Sequence, residues 1–577
     1  VRFVWGLAVF SVIFLAVAVQ LGRTAFPYLN DYKSIFESQL SKRLNAQITI
    51  GEIAASWNGL RPSLTLNQVR VSAGSLTGAM TANKLSAQIN LLAIFKDWRL
   101  ALGKLDFEGL HVELVQKEDG SWMVVGLPKS SVSDNSFTID DPLDIFLFGR
   151  RLELNNTSLT LRFRTGHVTD MIIPSASLEN DSNFHRLKAK VDVDADYNAL
   201  YFVLEGQGDP RDDKNFNAKG YLQLQQFPLQ KVVAATGLHN TIEIEPGLWS
   251  TGSRMDLQLW FKGSPANGIT FNGGGKASGL PFRIADQAQA PAIPQFKFAG
   301  YWDKVDGIAV QMGNVGLSWP DAKIPPLNIE LRAGLNAPFE LRVRELDVTA
   351  WSQALSALKL NNVVADVQNK LQPGGKLRDI GITLTTAQQG YFKLHANLVG
   401  GSVESWQGTP QIRHATGFIE MTALNGRIVL DAHDGFQMHY PLVYNKPLDF
   451  FEAQGEVAWF VNLETGLIQV TSGLLKLKGE SGDGEGYVYL TLPTRVTANV
   501  EPEITLVIGM QESVARYSDA YIPKTIPKAL YDWLGYSIKN GELTDGGVIY
   551  RGSLLRKPLR PRSLQISVNV HNGEIAF

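Results

Sequence analysis

Across 577 residues the chain carries 54 Lys and Arg against 56 Asp and Glu, a formal net charge of -2, and no cysteine. Near-neutrality with scattered basic residues supplies no stripe for tracking a phosphate backbone, so no nucleic acid is expected as a partner. The missing cysteine excludes disulfides, thiolate catalysis and Cys-ligated metals. With 44% hydrophobic and 19% charged residues there is ample apolar surface to bury, which excludes extensive disorder.

The first element in chain order is the run Phe3 to Leu21, which holds no charge and, besides Ser11, one late polar residue, Gln20. As a helix it would be about 28 Å long, close to the thickness of a bilayer's hydrocarbon core. Arg2 and Arg23 bracket it. Ala16-Val17-Ala18 has the look of a signal-peptide cleavage site. The apolar run, however, exceeds the usual signal core, and residues 1–23 are read as a single-pass anchor. Either reading exports the rest of the chain. In residues 24–46, Leu29, Tyr32, Phe36, Leu40 and Leu44 recur at helical spacing and predict an amphipathic helix that caps the groove or lies on a membrane.

From Ile48 onward the alternation has period two, the pattern of strands with one dry and one wet face. In LDFEGLHVELV, Leu105 and Phe107 point one way and, past a bulge at Gly109, Leu110, Val112 and Leu114 continue. Leu152, Leu154, Leu159, Leu161 and Phe163 alternate in the next long segment, Leu222 and Leu224 in YLQLQQF, Leu257 and Leu259 in DLQLWF, and Phe392, Leu394 and Leu398 in YFKLHANL. Three stretches break the alternation and read as short helices: FPLQKVVAATG, LDVTAWSQALSAL and SVARYSDAYIPKTIPKALYDWLGYSI. Lys129–Asp141 and Asp209–Asn217 read as loops. The fold expected over 47–577 is mainly β, one long curled antiparallel sheet forming an elongated apolar groove. About 30 strands at ~4.8 Å each would extend on the order of 140 Å.

Chemistry-bearing clusters are weak. Asp192, Asp194 and Asp196 in VDVDAD would share a strand face and could hold Ca²⁺, but a solvated outer edge that discourages strand pairing is the favoured reading. His433, Asp434 and His439 lack metal-ligand spacing. FNGGGKASG resembles a phosphate loop only superficially, since Ala277 follows Lys276, and it reads as a turn. Gly482, Gly484 and Gly486 have acidic neighbours and read as a hairpin. No catalytic residue, metal or cofactor is expected, and the chain is not read as an enzyme.

Several of these stretches together carry a resemblance. The apolar run, the amphipathic helix and ITIGEIAASWNGLRPSLTLNQVRV (Ile48 to Val71) are similar to the N-terminus of AsmA-like proteins. GLHVELVQKEDGSWMVVGL resembles that family's strand-turn-strand unit, and LDVTAWSQAL with YIPKTIPKALYDWLGYSIKNG resembles its YhdP-like branch, related to TamB. The resemblance implies a bridge-like phospholipid transport protein. It would be anchored in the inner membrane of a Gram-negative bacterium through residues 3–21, with its bulk in the periplasm. Its cargo would be phospholipid bound for the outer membrane, and partner proteins in either membrane would be compatible with it. Members of this branch are longer, and the chain ends within an alternating strand, so the groove is expected to continue past Phe577. The alternating apolar residues named above would line the groove. The alternative is a scaffold or assembly factor for outer-membrane biogenesis that conducts no lipid.

Overall fold

In a computed structural model, the described residues lie between 16 and 576, with gaps of which the longest are 90–101, 127–148, 230–251, 281–290 and 358–367. Most of the apolar run Phe3 to Leu21 and the loop Lys129–Asp141 lie outside them. No helix among the described residues is long and apolar enough to cross a membrane.

The described strands, 31 in number, belong to one mixed sheet with few and short helices. The chain divides into two units: Val1–Arg283 with Tyr301–Lys304, and Ile284–Gly300 with Val305–Phe577. A 3₁₀ turn (Phe26–Tyr32) and helix α1 (Lys33–Leu44) precede β1 (Gln47–Thr49), β2 (Glu52–Asn58), β3 (Arg61–Ser72) and β4 (Met80–Ile89). Leu29, Phe36 and Leu40 pack on Ile48, Ile50, Ile53 and Leu66, as the helical spacing predicts, whereas Tyr32 stays exposed. Polar side chains of the same segment meet the edge of the sheet. The backbone N–H groups of Ile53, Ile50 and Ile48 donate to Asn30 Oδ1 (3.0 Å), Glu37 Oε1 (2.7 Å) and Ser41 Oγ (3.0 Å). Donors that would otherwise recruit a foreign strand are thereby satisfied.

The chain continues through β5 (Leu102–Glu108), β6 (His111–Gln116), β7 (Trp122–Val124), β8 (Arg151–Arg162), β9 (Val168–Asp181) and β10 (Phe184–Val193). Next come β11 (Asp196–Gln207), β12 (Asn217–Pro228), β13 (Arg254–Ser264) and β14 (Gly268–Ser278). Neighbours pair antiparallel with one departure that corrects the purely antiparallel expectation: β5 and β6 both run parallel to β8. More than twenty residues separate β7 from β8. A two-residue hairpin forces antiparallel pairing, but a connection of that length lets the chain return in the same direction.

The next strands are β15 (Ile293–Asp303), β16 (Gly307–Val315), β17 (Leu327–Ala333) and β18 (Phe339–Asp347), then helix α2 (Val348–Ala357), β19 (Gly374–Thr385), β20 (Tyr391–Val403) and β21 (Gln411–Thr422). They continue as β22 (Asn425–Ala432), β23 (Phe436–His439), β24 (Leu448–Phe450), β25 (Glu452–Asn462), β26 (Leu467–Ser472), β27 (Leu475–Gly479), β28 (Gly482–Pro493) and β29 (Glu503–Val514). Helices α3 (Ser518–Tyr521) and α4 (Lys528–Ser537) lead to β30 (Ile538–Ser553) and β31 (Ser563–Ile575). α2, α3 and α4 fall in two of the three stretches where the alternation lapses; the third begins within β12 at Phe227 and Pro228, and its residues 230–237 lie outside the described residues.

Two expectations fail at glycine and aspartate. FNGGGKASG is no turn but the interior of β14, with Gly273 opposite Leu259 and Gly275 opposite Leu257. A Cβ on Gly275 would sit 2.1 Å from the Asp256 carbonyl oxygen, so the residue is glycine because a neighbouring backbone occupies that space. Asp192 is no solvated edge residue: it is 7% exposed, in a strand paired on both sides by β9 and β11. Gly482 does sit at a hairpin, facing Gly479, while Gly484 and Gly486 lie within β28.

Candidate functional site

Cross-strand register decides whether alternating residues add up to a surface, because a slip of one residue would send a whole strand's apolar set to the other face. In the first unit the register holds across strand after strand. Phe107 lies beside Leu154, Leu154 opposite Ala176, Ala176 opposite Ala189, Ala189 opposite Phe202, Phe202 opposite Leu222 and Leu222 opposite Leu259. Leu105, Leu152, Leu178, Leu187 and Leu204 form a second row, and Leu200, Leu224 and Leu257 a third. Val112 with Leu159 and Leu114 with Leu161 extend the face along β6 and β8. Phe163 lies just past β8, its ring edge-on to Trp122 at 5.3 Å.

The second unit repeats the arrangement. Val310, Leu331, Leu341, Ile382, Leu394 and Met421 succeed one another across β16 to β21. Phe392 faces Leu384, and Leu398 faces Leu377. Alternating segments such as ALYFVLEG and LNIELRA carried the signal for Phe202, Leu204, Ile329 and Leu331, which the alternation in the other strands had not singled out.

Strict alternation would not have sufficed. Gln68, Asn156, Gln226, Asn314, Asp379 and His414 all have φ between 49 and 61° inside strands. Each steps the alternation by one, so that Leu66 and Val69, Leu154 and Leu159, Leu224 and Phe227, and Met312 and Val315 stay on the apolar face. Gly109 (φ 63°) does the same between β5 and β6. Such bulges also bend and twist a strand locally. Two buried clusters fit that bending, since every described member comes from strands. One contains Ala189, Val191, Val193 and Leu224; the other contains Val343, Ile380 and Ala396, which are 5%, 3% and 1% exposed.

The opposite face is charged and self-paired. Glu205 takes Lys219 (3.1 Å) and Arg186 (2.7 Å); Lys393 (2.6 Å) and Arg427 (3.1 Å) flank Glu420, and Arg427 reaches on to Glu456. The Lys219 and Arg186 hydrogen bonds hold Glu205 below the usual carboxylate range, as those of Lys393 and then Arg427 do for Glu420. His433 bonds Asp431 (2.9 Å) and His439 accompanies the Tyr444 carbonyl (3.3 Å), both ordinary surroundings. No group of three residues able to hold a metal occurs among the described residues. A cavity of 950 Å³ in the second unit is bounded by β15 to β20, with Phe298, Met312, Ile329 and Arg342 in its wall.

These features define a class: a one-faced β protein whose apolar rows persist over many strands while its polar face neutralises itself. The chain belongs to the YhdP family, whose model, described as YhdP protein, matches residues 1–577. Searches among curated proteins and among solved structures each return no match.

Proposed function

We infer that the chain shields the acyl chains of phospholipids along its apolar face and so moves lipid between the inner and outer membranes of a Gram-negative cell. The observation that carries this reading is the apolar register kept within each unit, together with buried clusters whose described members all come from strands. Each CH₂ kept from water is worth ~0.8 kcal/mol, so a lipid leaving a bilayer unshielded meets a prohibitive step. A continuous apolar face removes that step while head groups remain wet. Residues 1–23 anchor the chain in the inner membrane on this reading, the 24–46 segment closes the start of the sheet, and the remainder works in the periplasm without catalysis. The sixteen alternating residues from Leu105 to Leu398 named above are the lining.

A photo-crosslinker at Leu161 or Leu394 should capture phospholipid in the folded protein, and one at the neighbouring Arg162 or Lys393 should not. Equal capture at both, or none at Leu161 and Leu394, would refute the conduit and leave the scaffold reading.

A further inference from the structure

At β21 to β30 the apolar face is covered by segments that are not strands. The loop from Tyr440 to Pro447 joins β23 to β24, and its Tyr440 and Tyr444 are 6% and 5% exposed. They belong to a buried cluster with Phe436, Phe450, Leu490 and Ile504, against which Ala520 and Tyr521 of α3 also pack. The cluster built from β17 to β21, in contrast, has only strand residues as described members. An acyl chain sliding from Leu394 toward Leu506 along the same face would therefore run into Phe436, Tyr440 and Tyr521.

Above these apolar contacts, a short set of polar contacts joins the loop to the helical segment. The Lys524 N–H donates to the Val443 carbonyl at 2.8 Å. Lys446 Nζ bonds Asp519 at 2.5 Å, and the Asn445 amide donates to the Tyr531 hydroxyl at 2.6 Å. Both side chains of the ion pair are more than half exposed, and exposed pairs contribute little to stability. The apolar contacts beneath are larger, but a lipid chain entering the cluster would replace them in kind.

We propose that the Tyr440–Pro447 loop and the α3–α4 segment form a latch, closed over the apolar face, that parts to let an acyl chain pass. The proposal rests on the lipid-conduit reading and adds a control point to it. Because the chain has no cysteine, Val443→Cys with Lys524→Cys places a unique thiol pair across the latch, to be closed by oxidation or a short bis-maleimide. Crosslinkers at Leu394, outside the covered cluster, and at Leu506, packed against it, then report in the same molecule.

Locking should lower lipid capture at Leu506 at least ten-fold while Leu394 still captures, and reduction of the disulfide should restore Leu506. Lys446→Glu, which sets like charges against Asp519 on the surface, should instead raise capture at Leu506. Equal capture at Leu506 in locked and unlocked protein overturns the latch. So does capture at Leu394 with none at Leu506 in any state, which would make the cover a permanent core. Absence of lipid at Leu394 throughout is a different failure, that of the conduit itself, and the latch falls with it.

Discussion

Glycines show how a single residue's meaning depends on its neighbours. Gly275 and Gly535 are indistinguishable by type, yet a Cβ on the first meets a backbone oxygen at 2.1 Å and one on the second meets nothing within 4 Å. Gly275→Ala should force β13 and β14 apart and destabilise the protein by about 1–3 kcal/mol, the usual range for overpacking. Gly535→Ala, within helix α4, should stabilise that helix by roughly 0.8–1 kcal/mol, since alanine restricts the unfolded chain and favours the helix. Urea unfolding of the two variants against the parent measures both, and equal signs would contradict the packing described for β14. The other residue-scale device is the non-glycine bulge. Gln226 and Asn314 adopt a left-handed backbone that costs energy locally, and in return keep two halves of one strand facing the same way.

Between strands, the polar face acts as a set of cross-strand clamps with a definite pH response. Glu205, Glu345, Glu420 and Glu452 all lie below the ordinary value of 4.5, held there chiefly by Lys219, Arg378, Lys393 and Lys478 respectively. A carboxyl group with a depressed folded value binds fewer protons folded than unfolded. Its contribution is therefore fully present above about pH 4.5 and lost as pH falls through the lower folded value. The melting temperature should accordingly drop as pH goes below 4.5, with a shallower fall in Glu420→Gln than in the parent. The Lys478 ammonium beside Glu452 is raised in turn, and that partner's contribution is lost only as pH rises through its elevated value. Because the basic partners Lys219, Arg378, Lys393 and Lys478 are half exposed or more, salt should blunt the whole effect.

For the molecule as a whole, a conduit differs from a single binding pocket in how damage adds. If lipid passes along rows in series, a charge placed in either unit stops all transfer. Leu159→Asp with Leu161→Asp in the first unit, or Phe392→Asp with Leu394→Asp in the second, would each oblige acyl chains to slide past carboxylates they cannot solvate, at a cost of several kcal/mol. Each pair alone should abolish lipid transfer measured between donor and acceptor membranes. Leu159, Leu161, Phe392 and Leu394 are all half-buried, so the variants should still accumulate. Loss of the folded protein in both cases would mark the positions as closed core, and partial transfer with each pair would point to separate sites.

The period-two alternation by itself determined that the chain is mainly β and that each run of a strand has an apolar and a polar side, because side-chain direction in a strand is a local property of the backbone. Helical spacing likewise placed Leu29, Phe36 and Leu40 against the first strands. Other features depend on groups distant in sequence, and only the tertiary structure decided them. The parallel pairing of β5 and β6 with β8 depends on where a long connection returns. Gly275 is required by Asp256 of the neighbouring strand, and the bulges at Gln226, Asn314 and Asp379 fall inside strands rather than at turns. The cover over β21 to β30 joins Val443 to Lys524 and Lys446 to Asp519, more than seventy residues apart. No local pattern records such contacts, because alternation encodes which way a side chain points and not what it meets.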